Sequence, residues 1–326
     1  MNNKTELIKK IVTYALFVIL GVFIALISLN LIKYAEIENK QNIIAKENEI
    51  KKNIIAKENL EKKKDEYLKK EILSNLNVQA KAFQIKTLGT DKILFQKNEE
   101  KILGIASLTK MATSIVSLDE YENDTEIEIK KSFLFTANNH ELISREIFNS
   151  KDLTEFMFIV SSNVASLALS YGGTLVEENH KIFLEKMNDL AEKIGMKSTI
   201  FFSDSGLDVN SNVSGSYSTA KDISKLIKYL YEQYPDFAVN TAVSEKNICS
   251  NIMCHEIKNT NPLLNTVPGI KLSKTGWTKK AQGNLALIYE FGGQEYSIVI
   301  LNSTKEGRFA DAEQLIFGIQ NYVLKK

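Results

Sequence analysis

Hydrophobic and polar positions divide the chain into three stretches of different rhythm. Residues 11–32, IVTYALFVILGVFIALISLNLI, run for 22 residues without a charge. At about 1.5 Å per residue, a helix of this length spans the roughly 30 Å hydrocarbon core of a bilayer. The run is too long for a typical signal-peptide core, and no small-x-small cleavage site follows it cleanly, so it reads as an uncleaved transmembrane anchor. The polar flanks leave nothing to bury it against as a core helix. Lys4, Lys9 and Lys10 precede it, and Lys33 with the mixed stretch Glu36, Glu38, Lys40 follows. The positive-inside rule then makes residues 1–10 a cytoplasmic tail and puts the remainder on the extracytoplasmic side of a cell membrane crossed once.

Residues 33–77 change character. They are rich in Lys, Glu, Asn and Ile, and NIIAKENEIKK (42–52) is followed directly by NIIAKENLEKK (53–63). A period of eleven keeps an apolar stripe (Ile43, Ile44, Ile50, Ile54, Ile55, Leu60) near one face of a nearly straight helix or right-handed coiled coil. Two readings stay open: a rigid stalk that pairs with a second copy as a homodimer, or a solvated single helix that serves as a spacer.

From residue 78 to 326 the pattern is globular. Lys81–Ile85 and Lys92–Gln96 flank a Leu-Gly-Thr-Asp turn and predict a β-hairpin. A helix begins at Ser107, and helical stretches follow at 151–170, 178–194 and 219–233. Strands return at Asn284–Tyr289 and Tyr296–Asn302 around Gly292-Gly293, and 309–324 predicts a last helix. Strands at both ends with helices between them imply one mixed sheet shared by the termini, with a helical insert.

Composition narrows the chemistry. The 41 Lys+Arg nearly balance 40 Asp+Glu, which argues against a nucleic-acid binder. Only two Arg (Arg145, Arg308) and three His (His140, His180, His255) are present, so His-based acid/base chemistry has few candidates. Two Cys exclude a disulfide-built scaffold. Cys249 and Cys254, in C-x4-C spacing, read more readily as free thiols than as a disulfide, although an exported domain permits one. With His255 they lack a fourth metal ligand, so no metal and no cofactor is expected.

Three short motifs carry the chemistry. Ser107-Leu-Thr-Lys110 puts a hydroxyl and an amine one turn apart at a helix start, where a desolvated Lys can take the Ser proton. Ser161-Ser162-Asn163 interrupts two apolar helical runs. Lys274-Thr-Gly-Trp-Thr278 offers positive charge, a hydroxyl and a Gly where a ligand backbone must lie close. Each has an ordinary explanation taken alone, such as an N-cap, a turn or a strand. Together, in this order and spacing, they form the signature set of penicillin-binding proteins and related serine β-lactamases.

From Ala80 to about residue 322 the chain resembles the serine D-alanyl-D-alanine carboxypeptidases of the low-molecular-mass penicillin-binding proteins (peptidase S11). Ile105–Thr113, Gly195–Thr199 with Asp204-Ser-Gly-Leu207, Tyr217–Asp222, Asn259–Leu264 and Gly307–Asp311 all look like segments of that family. The resemblance implies an α+β fold of the β-lactamase/transpeptidase type, an antiparallel sheet with flanking helices and a helical subdomain. It implies a hydrolase that removes the terminal D-Ala from peptidoglycan stem peptides and binds β-lactam inhibitors.

Roles follow from the same resemblance. Ser107 is the nucleophile and Lys110 its general base; Ser161 passes a proton to the leaving amine. Asn163 binds the substrate backbone, and the N–H groups of Ser107 and Trp277 form the oxyanion hole. Lys274, Thr275 and Arg308 face the substrate carboxylate, and Gly276 allows close approach. For Arg308 the competing reading is a surface salt bridge with Asp311 or Glu313; Arg145 matches no motif. Relatives usually carry an acidic residue after the S-x-N triplet, where Val164 stands, and many carry a C-terminal β-domain for which this sequence leaves no room. Alternatives are a D,D-endopeptidase, a serine β-lactamase (though the E-x-x-L-N arrangement is absent from 164–273), or a non-catalytic wall-binding scaffold.

Overall fold

The computed structural model describes residues 2–137 and 141–326, so His140 and Met1 lie outside the described residues. The chain divides into two units, Met1–Tyr67 and Leu68–Lys326. Within the first, helix α1 (Asn2–Ser74) is unbroken and its apolar side chains face outward. It contains a stretch long and apolar enough to cross a membrane.

The second unit takes in the last turns of α1 and then runs β1 (Ala82–Thr87), β2 (Ile93–Lys97), β3 (Leu103–Gly104), a 3-10 turn (Ala106–Thr109) and α2 (Lys110–Glu120). Next come β4 (Glu126–Glu128), α3 (Lys131–Ala137), β5 (Ile147–Asn149), α4 (Ser150–Val160), α5 (Asn163–Ser170), α6 (Glu177–Lys193), β6 (Ile200–Phe201), β7 (Ser216–Ser218), α7 (Ala220–Gln233) and α8 (Pro235–Thr241). The chain ends with β8 (Glu245–Cys249), β9 (Cys254–Lys258), a 3-10 turn (Pro262–Asn265), β10 (Ile270–Thr278), β11 (Gln282–Phe291), β12 (Gln294–Ser303) and α9 (Gly307–Lys325).

The main sheet has the order β10-β11-β12-β1-β2. Every pairing in it is antiparallel, which corrects the expectation of a mixed sheet. Alternation along the strands assigns its two faces. Phe83, Ile85, Leu285, Leu287, Ile298 and Ile300 join Ile72 of α1 and Leu315, Ile316 and Ile319 of α9 in one core. Their neighbours Ala82, Ala286, Ile288, Val299 and Leu301 pack with α2, α6 and α7 in a second. Both faces are covered, so the strands read as near-continuous apolar runs. A third core gathers α3, α4 and α5 with the hairpins β4–β5 and β8–β9 into the helical subdomain.

The helical stretch 151–170 is two helices, α4 and α5, divided at Ser161-Ser162 where the polar triplet was expected to interrupt it. One local expectation changes. Cys249 and Cys254 are joined in a disulfide across the β8–β9 hairpin, which overturns the free-thiol reading. Opposed positions in an antiparallel pair bring the two Cβ atoms within bonding reach, a proximity that C-x4-C spacing alone did not require.

Candidate active site

The 3-10 turn Ala106–Thr109 tightens the chain just before α2, so Ser107 and Lys110 stand one turn apart at the entry to a helix. Ala106, with φ 48°, occupies the left-handed region that costs a non-glycine residue about a kcal/mol or more. Lys110 is fully buried, and its Nζ meets three acceptors: Ser107 Oγ at 3.2 Å, Asn163 Oδ1 at 2.8 Å and Ser205 O at 2.7 Å. Burial pushes the Lys110 ammonium down to about 7, while the charges of Asp204 and Glu141 act in the opposite sense.

The S-x-N triplet is both a helix junction and a cap. Ser161 ends α4 in the left-handed conformation (φ 62°, ψ 36°), a second strained residue in the same site. Ser162 Oγ accepts from Ala165 N at 3.2 Å and so caps α5. Asn163 then begins α5 and delivers its Oδ1 to Lys110. Ser161 makes no hydrogen bond to Ser107 or Lys110 among the described residues.

Lys274, Thr275, Gly276 and Trp277 lie on β10, an edge strand of the main sheet. A Cβ at Gly276 would stand 2.9 Å from Ile105 O, 3.1 Å from Ser107 N and 3.2 Å from Leu108 N, so only glycine lets β10 close on the Ala106–Thr109 turn. Lys274 is buried, donates to Thr275 O at 3.3 Å and lies over the Phe158 ring at 5.7 Å. Burial, together with the positive charges of Lys110 and Arg308, holds its ammonium well below the usual lysine range. Thr275 Oγ1 shares a 2.6 Å hydrogen bond with Thr260 Oγ1, a partner the sequence reading missed although the Asn259–Leu264 segment was in view. Trp277 is 44% exposed, with Lys305 Nζ over its ring at 5.3 Å.

Arg308 forms no salt bridge with Asp311, whose carboxylate instead accepts from Gln79 N, Ala80 N and Ser303 Oγ. Arg308 reaches from the first turn of α9 to donate Nη1–H to Gly276 O at 2.7 Å, and its Nε is buried without a partner. Burial lowers the affinity of this guanidinium for its proton. A buried cation with unused donor capacity beside β10 is equipped to receive an anion. The arrangement therefore offers a hydroxyl with an adjacent amine of lowered proton affinity, with Lys274 on β10 and Arg308 of α9 beside the same strand.

A family model described as D-alanyl-D-alanine carboxypeptidase, Peptidase S11, matches residues 69–305. The chain belongs to the S11 family of serine peptidases. This S11 peptidase is 30% identical over 236 residues to a D-alanyl-D-alanine endopeptidase of Pseudomonas aeruginosa, covering 69% of this chain and 72% of that one. It is 27% identical to the D-alanyl-D-alanine carboxypeptidase DacF of Bacillus subtilis, across 76% of this chain and 64% of the relative. Penicillin-Binding Protein D2 from Listeria monocytogenes, solved in an ampicillin-bound form, superposes with a TM-score of 0.63 at 27% identity over 75% of this chain and 98% of that one. The Streptomyces K15 DD-transpeptidase shares the fold, with a TM-score of 0.68 at 24% identity over 75% and 98% of the two chains. The penicillin-binding, transpeptidase-like fold expected from the motifs is the fold observed.

Proposed function

We propose that this S11 peptidase is a membrane-anchored serine D,D-carboxypeptidase that removes the terminal D-Ala of peptidoglycan stem peptides and is acylated by β-lactams. The observation that carries the reading is the Lys110 amine, buried, 3.2 Å from Ser107 Oγ and with its pKa lowered by burial to about 7, so that a substantial share is neutral near pH 7. Ser107 Oγ attacks the carbonyl of the penultimate D-Ala as Lys110 takes its proton. The N–H groups of Ser107 and Trp277 stabilise the oxyanion. The C–N bond breaks as the proton that Lys110 took passes through the Ser161 hydroxyl to the leaving D-Ala amine; water, giving its proton to the neutral Lys110, then attacks the acyl carbonyl, and Ser107 leaves with that proton restored to its Oγ. Asn163 aligns the peptide backbone, while Lys274, Thr275 and Arg308 hold the terminal carboxylate. Residues 11–32 anchor the chain with the peptidase on the extracytoplasmic side, where peptidoglycan lies.

A D,D-endopeptidase is the second reading, favoured by the names of the 30%-identical relatives. One experiment addresses both. The full chain, beside Ser107→Ala, is incubated with a labelled penicillin, a D-Ala-D-Ala peptide and a cross-linked dimer peptide. Stable acylation and D-Ala release that vanish in Ser107→Ala are expected. Cleavage of the dimer alone would favour the endopeptidase, and the absence of any acylation would overturn both.

A further inference from the structure

The acceptor that completes the Lys110 site belongs to none of the three motifs. Ser205 O lies on the turn Asp204-Ser205-Gly206 between α6 and α7, and this turn grips the catalytic helix twice. Lys110 donates to Ser205 O at 2.7 Å, and Thr113, one turn further along α2, donates its hydroxyl to Asp204 O. Gly206, with φ 78°, lies so close beneath Ala106 that a Cβ would stand 2.0 Å from Ala106 O. Both ends of the Ser107–Lys110 segment therefore rest on this turn.

The turn is fixed by the Asp204 carboxylate, which is 2% exposed. Its Oδ2 accepts from Ser170 Oγ of α5 at 2.8 Å and shares a 3.1 Å hydrogen bond with His180 Nε2 of α6. The His180 ring is stacked on Tyr171, with centroids 4.6 Å apart and planes 7° from parallel. Tyr171 in turn donates to Glu177. No Lys or Arg pairs with Asp204 among the described residues. The titratable groups that face Lys110 are Asp204, Glu141 and Lys274; those that face Asp204 are His180, Tyr171 and Lys110. Of the two acids, Asp204 has the larger effect on Lys110. The residue after Asn163, Val164, is buried in an apolar core and supplies no charge.

We propose that Asp204, clamped by His180 and Ser170, is a positioning residue for the general base: it fixes the turn whose Ser205 carbonyl orients Lys110 and sets a buried carboxylate beside that turn. That negative charge also favours the protonated form of Lys110 and so strengthens it as a base. The inference rests on the reading of Lys110 as that base. A buried amine without a neighbouring anion loses proton affinity, and a weaker base takes a proton less effectively at the transition state.

The test is the rate of acylation of the full chain by a fluorescent penicillin, followed from about pH 5 to 9. Asp204→Asn keeps the shape and removes the charge, so Lys110 becomes easier to deprotonate. The acid limb is expected to move down by about one pH unit and the plateau to fall about three- to ten-fold. A purely structural role would lower the plateau and leave the limb in place, and a limb unmoved in Asp204→Asn overturns the proposal. His180 is 23% exposed by side chain, so its variants test the clamp even where Asp204→Asn does not fold. His180→Gln keeps a donor and should stay within about two-fold of the parent, whereas His180→Phe keeps the stack on Tyr171, loses the donor and should slow acylation at least about three-fold. Equal rates in the two His180 variants overturn the clamp. A parent protein that is not acylated at all fails the proposed function itself, which the Asp204 and His180 variants leave untouched when the parent does react.

Discussion

Lys110 Nζ meets three oxygens, and two of them, Asn163 Oδ1 and Ser205 O, can only accept. A neutral amine has two N–H bonds and one lone pair, so those two acceptors consume the N–H bonds and leave the lone pair for the Ser107 hydroxyl. Since burial lowers the Lys110 ammonium to about 7, the active neutral form gains as pH rises through that value. Acylation by penicillin is expected to be half-maximal near pH 7, about three units below where an ordinary lysine would place it; a limb near pH 10 would refute the assignment. Arg308 leads to a second expectation. Its spare donor capacity beside Gly276 O fits a carboxylate, and a charge-assisted hydrogen bond contributes about 1.5–3 kcal/mol. Arg308→Ala should therefore lower kcat/KM for a D-Ala-D-Ala peptide by about ten-fold or more, and unchanged peptide turnover would sink the role. The scarcity of Arg made this residue conspicuous in the sequence. His180 was equally scarce but matched no motif, because its partner Asp204 lies on another element and only the fold joins them.

At the scale of elements, the pieces legible in the sequence were those with their own periodicity or turn chemistry. The β1–β2 and β11–β12 hairpins and the helices α6, α7 and α9 were predicted to within a few residues. The break between α4 and α5 was legible as the polar triplet Ser161-Ser162-Asn163 between two apolar runs, whereas the left-handed Ser161 and the capping Ser162 that make it were not. The β8–β9 hairpin was missed. Only Ile248 and Ile257 turn into the core, and the rest of each strand is polar or part-exposed. The edge strand β10 sets a firm expectation. Gly276→Ala places a methyl between β10 and the nucleophile turn, at 2.9 Å from one backbone carbonyl and 3.1 Å from a backbone amide. Acylation should fall by roughly a hundred-fold, the scale on which about 1 Å of misplacement costs rate, with the thermal midpoint little changed. Near-parental acylation would show that the close approach is dispensable. The disulfide closes a short loop, so Cys249→Ser with Cys254→Ser should cost at most about 2 kcal/mol. Thermal unfolding of oxidised and double-variant protein measures it.

On the scale of the whole molecule, the family was written in the order and spacing of three motifs, and the α+β class in strands at both ends of the globular unit. The sequence could not show how those ends meet. Residues 11–32 predict that the full chain sediments with membranes and that a variant lacking 1–32 stays in the soluble fraction, a separation that fractionation tests directly. In the 42–63 repeat, Glu47 and Glu58 sit four residues before Lys51 and Lys62, a spacing that stabilises a helix in water. The main sheet carries a further consequence. It consists of a hairpin, β1–β2, and a meander, β10–β12, joined only by β1 with β12, where Ala82 opposes Leu301. As the chain emerges from the ribosome, the first hairpin must wait with one bare edge until nearly every other residue has been made. Contacts that distant close slowly and leave strand edges open to wrong partners in the meantime. The globular unit therefore cannot complete its central sheet ahead of its own C-terminal strands, so its first hairpin stays an open template for most of synthesis.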